Sequence, residues 1–121
     1  MDALSKGLLK NKYILLVLLF SFLSIWSLSG SGLPPTHDGE YHVMRMHEFY
    51  KVLSEGTIYP RWAPDFNNGF GIPLFNYVYP LPNYIASFFH FLGFSFIDSF
   101  KLNMAVASMI GSVLFFLWSR K

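Results

Sequence analysis

The first apolar stretch of the chain, at residues 13–28, contains no charged residue, glycine or proline. As an α-helix it reaches about 24 Å, and continuing it to Leu33 gives roughly 31 Å, enough to cross a hydrocarbon core of about 30 Å. Trp26 stands near the far end, where aromatic side chains meet the membrane interface. We predict a transmembrane helix over residues 13–33. The alternative is a cleaved signal peptide, because a lysine-rich start, an apolar run and Ser-Gly-Ser-Gly occur in that order in secretory leaders.

A second uncharged stretch, at residues 102–118, lies close to the end of the sequence. Ser95 and Asp98, just before it, fit the S-x-x-D capping box, in which the acid reaches back to the residue that begins a helix. We predict a second transmembrane helix over residues 98–119, with the buried core helix of a soluble protein as the alternative. Small side chains would let this segment pack closely on another membrane helix. They are Ala105, Ala107, Ser108, Gly111 and Ser112.

Between the two stretches, apolar positions first follow a helical period. Thr36 or Asp38 can cap a helix over residues 38–54, and Glu55-Gly56 stops it. An amphipathic helix that directly follows a span is expected to lie on the membrane surface. Its predicted apolar stripe consists of Val43, Met46, Phe49 or Tyr50, and Leu53.

The rest of the middle segment alternates proline with aromatic residues. Residues 56–81 predict an irregular loop, with a turn at the Asn-Asn-Gly of residues 67–69. Pro80 and Pro82 then open a helix that Gly93 closes. Over residues 82–92 this helix reaches about 16 Å, roughly half a bilayer, which favours an interfacial or re-entrant half-helix.

Composition excludes several classes of protein. Hydrophobic residues make up 53% and charged residues 13% of the 121 residues, whereas a soluble domain carries about 25% charged residues. A net charge of +2 without a basic cluster argues against nucleic acid as a partner. The absence of cysteine excludes disulfides and zinc–thiolate sites. Pattern and composition together predict an all-α membrane protein whose two transmembrane helices flank an external loop with a surface helix and a half-helix.

Basic residues concentrate at the two ends of the chain, and most acidic residues lie between them. Because cytoplasmic segments of membrane proteins carry an excess of Lys and Arg, residues 1–12 and 120–121 are predicted to face the cytoplasm. Two crossings then place residues 34–97 outside. The expected location is the cell membrane, in a multi-pass protein with both ends of this segment cytoplasmic. The basic residues concerned are Lys6, Lys10, Lys12, Arg120 and Lys121.

The strongest candidate for chemistry is the pair Asp38 and Glu40, with His37 and His42 beside it. Two carboxylates near an imidazole can hold a hard divalent cation through their oxygens. They can also supply a general base to an acceptor hydroxyl. Gly39 between them would let a ligand approach the backbone. The alternative is that both acids complement the positive end of a helix dipole.

Arg61, beside Trp62, offers a second candidate site. A guanidinium can bind a phosphate as a bidentate donor. It can equally lie stacked on an aromatic ring at the surface, and both interpretations remain open at this point.

The order of the motifs resembles a known family. The chain is similar to the N-terminal part of polytopic bacterial or archaeal membrane proteins with the C-type glycosyltransferase fold. Within that fold it resembles the family named for a membrane domain related to 6-pyruvoyl-tetrahydropterin synthase. The motifs are the acidic pair on a surface helix, G-x-x-x-P-R-W at Gly56–Trp62, N-G-x-G-x-P at Asn68–Pro73 and Y-P-L-P-x-Y at Tyr79–Tyr84.

The resemblance implies transfer of a sugar from a polyprenyl-phosphate carrier at the outer membrane face. It places the role of base or metal ligand on Asp38, with Glu40 second, so a divalent cation is the only cofactor that it suggests. The candidate substrate-binding residues are His42 and Arg45, which fit the helix after the acid, and Arg61 and Trp62, which match the P-R-W element.

Proteins of this kind are much longer and cross the membrane many more times. The resemblance therefore implies an N-terminal fragment, inactive alone, whose partners are the remaining transmembrane helices of the parent protein. The alternative is a small, non-catalytic two-span membrane protein that acts as a packing or assembly partner.

Overall fold

The computed structural model describes residues 12–119, apart from the side chain of Lys12. Within that range the fold is all-helical, as predicted, with no β-strand beyond one isolated bridge. The predicted cytoplasmic ends lie outside the described residues, except for Lys12. The helices are α1 (Lys12–Ser24), α2 (Gly39–Ser54), α3 (Leu81–Phe91) and α4 (Phe96–Ser119), with short 3-10 turns at Trp26–Ser29 and Leu74–Asn76.

The described chain divides into two compact units. Ser31–Asn103 form one, here called the middle unit, and residues 12–30 with 104–119 form the other, here called the terminal unit. The boundary falls within α4, so the first two turns of this helix belong to the middle unit and the remainder to the terminal unit.

Helix α1 ends at Ser24 and does not continue to Leu33, which corrects the predicted helix over residues 13–33. The hydroxyl of Ser24 donates to the carbonyl of Ser21 at 2.7 Å, and the chain then tightens into the turn Trp26–Ser29. Serine and glycine, which fill most of the next positions, compete with or weaken helical hydrogen bonding. The described helix therefore reaches about 20 Å, and a crossing by this segment remains a prediction.

Helices α2 and α3 end as their sequences predict. Gly56 and Gly93 adopt φ angles of +96° and +102°, which a glycine reaches without a Cβ penalty. The amide of Gly93 donates to the carbonyl of His90 at 2.9 Å, and the next amide donates to that of Phe89 at 3.3 Å. The same two bonds form at Gly56. Both ends are Schellman motifs, in which a left-handed residue satisfies the last free carbonyls.

Ser95 caps the last helix as predicted, and Asp98 reaches back to the Ser95 hydroxyl, not to its backbone amide as in a complete capping box. The amide of Asp98 donates to the hydroxyl oxygen of Ser95 at 3.1 Å, and that hydroxyl donates to the Asp98 carboxylate at 2.6 Å. The helix that follows, α4, has 24 residues and extends about 36 Å. Among residues 12–119 it is the one helix long and apolar enough to cross a membrane. Only 11% of its apolar stretch is buried, unlike the core helix of a soluble protein.

Two hydrophobic clusters hold the middle unit together, and the predicted apolar stripe of α2 supplies both. Met46 packs with Ala86 and Phe100 in the first cluster. Phe49, which is fully buried, packs with Ala63 and Phe75 in the second. Around Phe49 the rings meet edge to face, with centroids 5.0 Å away for Phe75 and 4.7 Å for Tyr84. Helix α2 is therefore the central element of this unit.

The segment between α2 and α3 is an irregular loop, as predicted. Backbone hydrogen bonds join its two sides just before the tip. Ala63 and Ile72 exchange backbone hydrogen bonds of 2.9 and 3.1 Å as an isolated antiparallel bridge. Asn67 and Asn68 at the tip both have φ of 56°, a left-handed conformation that asparagine tolerates better than most residues. The loop thus has one defined backbone path.

Candidate functional site

Asp38 is the residue that precedes α2, and its carboxylate is not used to cap that helix. The side chain makes no capping hydrogen bond. Its Oδ1 instead lies 2.8 Å from Nδ1 of His37, with both side chains largely exposed at 66% and 98%. A charge at this position is favoured by the positive end of the helix dipole. The carboxylate is nonetheless open to a ligand, because its partner is itself a surface side chain.

Glu40 lies in the first turn of α2 and is exposed, without a hydrogen bond or ion pair to any described residue. Gly39, between the two acids, is buried, which corrects the expectation that it admits a ligand. A Cβ on Gly39 would meet Leu33 Cδ2 at 3.3 Å and would clash with the hydroxyl of Thr36. The missing side chain therefore accommodates the chain's own preceding segment.

The metal hypothesis finds no supporting donor set in the structure. Within residues 12–119, no group of three or more His, Asp or Glu side chains could hold a metal ion. Asp38 and Glu40 could supply one or two carboxylates to a cation such as magnesium, which completes its coordination with waters and substrate oxygens. A bound cation therefore stays a prediction.

His42 and Arg45 follow the acids on α2 and are both half-buried. The His42 ring stacks on Phe100, with centroids 6.0 Å apart. The Arg45 guanidinium lies 4.7 Å from the centroid of Tyr41, whose ring in turn stacks on Phe66 at 5.5 Å. The buried Nε of Arg45 has no hydrogen-bond partner. Leaving such a donor unsatisfied costs about 1–3 kcal/mol or more, so this side chain needs an explanation beyond packing.

Arg61 and Trp62 are exposed residues of the loop. The Arg61 guanidinium lies 5.9 Å from the ring centroid of Tyr59, which favours the stacked interpretation of this residue. The Trp62 indole lies against Gly71, where a Cβ would come within 2.8 Å of Cε2. Neither side chain makes a contact with Asp38 or Glu40 among the hydrogen bonds, ion pairs and ring contacts of the described residues. The structure thus links Tyr41 to Arg45 but does not join the loop residues to the acids.

A buried carboxylate that the sequence did not reveal connects α2 to the loop. Glu48 is only 4% exposed, and its Oε2 accepts a 2.8 Å hydrogen bond from the backbone amide of Asp65. Its Oε1 lies 3.4 Å from Nδ1 of His47. No local pattern could find this contact, because the two partners are 17 residues apart and the loop between them is irregular.

Next to this contact, Lys51 and Asp65 form an ion pair with Nζ and Oδ2 2.6 Å apart. The hydrogen bond between them raises the pKa of Lys51 and lowers the pKa of Asp65 from their ordinary values. Both groups are therefore held charged over a wider pH range than in the unfolded chain.

A pocket of about 390 Å³ opens beside α2 in the middle unit. Its walls are chiefly apolar, and this size and character are typical of small-molecule sites. Phe66 contributes one wall, so the pocket shares a side chain with the stack under Arg45. The lining residues are Val43, Met44, His47, Glu48, Asp65, Phe66 and Phe96.

Fold and site together define an all-helical protein with a candidate membrane-spanning helix and a packed unit that carries an exposed acid. Comparison with family models, with characterised proteins and with solved structures finds no match to the chain.

Proposed function

We propose that this chain is the N-terminal part of an integral membrane glycosyltransferase-like protein. The parent would transfer a sugar from a polyprenyl-phosphate carrier to an acceptor hydroxyl at the external membrane face, with Asp38 as the base. The observation that supports this proposal is the Asp38 carboxylate, which is exposed at the start of α2 and held by His37 at 2.8 Å. The order of the sequence motifs supplies the reaction class.

In this proposal Asp38 removes the proton of the acceptor hydroxyl. As the acceptor oxygen forms its bond to the anomeric carbon, the bond from that carbon to the carrier phosphate breaks, and the hydroxyl proton passes to the Asp38 carboxylate. A positioned general base contributes about 10²–10⁴-fold to such a step. His37 keeps the carboxylate oriented by donating from Nδ1 to Oδ1 in the matching tautomer. Glu40 is the second carboxylate of the motif.

The test is sugar transfer by membranes that contain the complete reading frame carrying this chain. We expect Asp38→Asn to lower transfer by about 10²-fold or more, because the amide cannot accept the proton. Glu55→Gln is the matched control, since Glu55 is an exposed acid at the other end of the same helix. Transfer by Asp38→Asn at the wild-type rate, with equal protein in the membrane, would disprove the assignment.

The external position of the middle unit is part of the proposal and has its own test. Asn67 is exposed at the tip of the loop, so Asn67→Cys supplies a thiol in a chain that has no cysteine. We expect a membrane-impermeant maleimide to label it in intact cells. Labelling only after permeabilisation would place this unit in the cytoplasm.

A second candidate function is that of a non-catalytic membrane packing partner. The observation that favours it is Gly111 in α4, around which an added Cβ would meet nothing within 4 Å. Small exposed residues allow close approach of another membrane helix. Gly111→Leu should then release a partner that co-purifies with the wild-type chain, whereas the first candidate predicts no such loss of a partner.

A further inference from the structure

Helix α3 has the reverse polarity of a helix on the surface of a soluble domain. Its exposed residues are all large and apolar, and its buried residues are polar or small. The exposed residues are Leu81, Phe88 and Phe91, at 65%, 58% and 76%. The buried residues are Asn83, Ala86 and Ser87. A surface helix in water buries its apolar side and exposes polar residues, so the outer side of α3 is suited to an apolar environment.

The inner side of α3 packs within the middle unit as helices pack in membranes. Ala86 lies against Met46 and Phe100. The side-chain amide of Asn103, in the second turn of α4, donates to the carbonyl of Pro82 at 3.0 Å. Small residues at the contact and hydrogen bonds between helices are the usual means of association in lipid, where apolar burial gives no driving force. Both sides of α3 therefore fit a lipid environment.

Charge divides the middle unit between its two packed helices, α2 and α3. Helix α2 carries Glu40, Arg45, Glu48 and Lys51. No Asp, Glu, Lys or Arg occurs from Phe66 to Ile97, a range that contains all of α3. At the average for soluble domains, a stretch of this length would carry about eight charged residues. The uncharged outer side of α3 complements hydrocarbon, since it offers no charge that would have to be desolvated.

The apolar stripe of α2 does not compete for this role. The sequence predicts that α2 lies on the membrane surface, but Met46 and Phe49 of its stripe are buried inside the unit. Met44, which is exposed on α2, follows the exposed acid Glu40 by one turn and so shares its side of the helix. Contact between the middle unit and lipid therefore falls to α3.

Both ends of α3 carry residues typical of a membrane interface. Tyr77 and Tyr79, just before the helix, are exposed, and tyrosine is enriched at head-group level. At the other end, the short connection Leu92–Ser95 leads into α4, among residues 12–119 the one helix long and apolar enough to cross a membrane. Asp98 is exposed in its first turn, and a charge is costly inside hydrocarbon. Interfacial residues at both ends favour an in-plane helix over a re-entrant one.

We propose that α3 lies in the plane of the membrane interface and anchors the middle unit there, with Leu81, Phe88 and Phe91 in contact with lipid acyl chains. A helix of this kind buries its apolar side about 5–10 Å into the boundary between head groups and acyl chains. The proposal goes beyond the transfer reaction, because it requires α4 to lie in a membrane but does not require Asp38 to act as a base.

The experiment uses the full chain in phosphatidylcholine vesicles. Because the chain has no cysteine, Phe88→Cys accepts a single nitrobenzoxadiazole fluorophore. We expect phosphatidylcholine with a nitroxide on its acyl chain to quench this label at least about threefold more than a label at Met44→Cys, and aqueous iodide to quench it less. Met44 is the matched control, since it is an apolar residue of α2 with a similar exposure of 53%.

The in-plane orientation has a separate measurement. Leu81 and Phe91 mark the two ends of α3, about 15 Å apart along its axis. Labels at Leu81→Cys and Phe91→Cys should lie at equal depth when quenching by shallow and deep acyl-chain nitroxides is compared. A re-entrant helix would place one label deeper than the other by most of that length, and this result would overturn the in-plane arrangement.

Two results at Phe88→Cys would overturn the contact with lipid. Iodide quenching equal to that at Met44→Cys would place the outer side of α3 in water. Protection from both iodide and lipid nitroxides would mean that protein covers it. All labelled positions are exposed, and Phe91→Cys repeats the measurement if Phe88→Cys does not fold. Asp38→Asn should leave the quenching unchanged, so failure of the proposed transfer reaction and failure of this inference remain distinguishable.

Discussion

The middle and terminal units use apolar side chains in opposite ways. In Ser31–Asn103, large residues such as Phe49 and Phe75 are buried against one another. In the terminal unit, Ile14 is the one buried hydrophobic residue among those described, while Phe20, Phe115 and Trp118 are exposed by 67%, 67% and 70%. Both units are rich in apolar residues, but only one of them has an interior.

This difference shows which unit exposes most of the apolar surface that it contains. Exposed apolar surface on this scale marks contact with a membrane or another protein. The middle unit buries Phe49 and Phe75 in its interior, although it also exposes rings such as Phe70, at 80%. Among residues 12–119, the one helix long and apolar enough to span a membrane lies mostly in the terminal unit. That unit is therefore expected to meet lipid or another protein.

The largest expected effect comes from removing a ring from each unit. Phe49→Ala should lower the free energy of unfolding by about 3–5 kcal/mol, because it leaves a cavity beside Phe75 and Tyr84. Phe115→Ala is the control and should change it little, since that ring is 67% exposed. Denaturant titration in detergent, followed by near-UV circular dichroism, measures both. Equal losses of unfolding free energy in the two variants would contradict the claim that only the middle unit has a packed interior.

A smaller effect is expected from adding a methyl group to a glycine in each unit. Gly39→Ala should destabilise the chain by about 1–3 kcal/mol, because its Cβ meets Leu33 and Thr36. Gly111→Ala meets nothing and should gain up to about 1 kcal/mol from better helix propensity. The same titration compares them. A destabilising Gly111→Ala would mean that α4 is closely packed in the detergent-solubilised chain.

The smallest effect concerns the Lys51–Asp65 pair. Since the folded-state pKa of Asp65 is lowered, its contribution to stability is present above the ordinary value of 3.8 and is lost as the pH falls through the folded-state value. Since the pKa of Lys51 is raised, its contribution is present below 10.5 and is lost as the pH rises through the folded-state value. Both side chains are partly exposed, so the effect is small.

The measurement is the difference in melting temperature between the wild type and Asp65→Asn across pH. We expect this difference to be constant between about pH 5 and 9 and to shrink at the acid end. Glu40→Gln, which removes an exposed carboxylate without a partner, should show no such window. A difference that does not shrink at all towards the acid end would contradict the ion pair.

Local signals predicted the helix ends well. Gly56 and Gly93 stop helices because a left-handed residue is needed there, and Ser95 with Asp98 starts one because each satisfies the other. The helix beginning at Lys12 was predicted too long, because hydropathy alone did not weigh the serines and glycines after Ser24. Both helix ends depend only on neighbouring residues, and so they can be predicted from the sequence.

The candidate site was only partly predictable. The exposure of Asp38 and Glu40 agrees with the interpretation of the motif, but the burial of Gly39 and Glu48 depends on partners elsewhere in the chain. The stack of Arg45 on Tyr41 could be read from their i, i+4 spacing. The pocket could not, since Phe66 and Phe96 reach it from two separate segments.

The bridge between Ala63 and Ile72 has a practical consequence for engineering this chain. Because the bridge joins the two sides of the loop, residues can be inserted at the tip without changing where the chain leaves α2 or enters α3. Each doubling of a flexible loop costs only about 0.6 kcal/mol. An epitope tag or a small reporter domain inserted after Asn68 is therefore the modification that this fold should accept most readily.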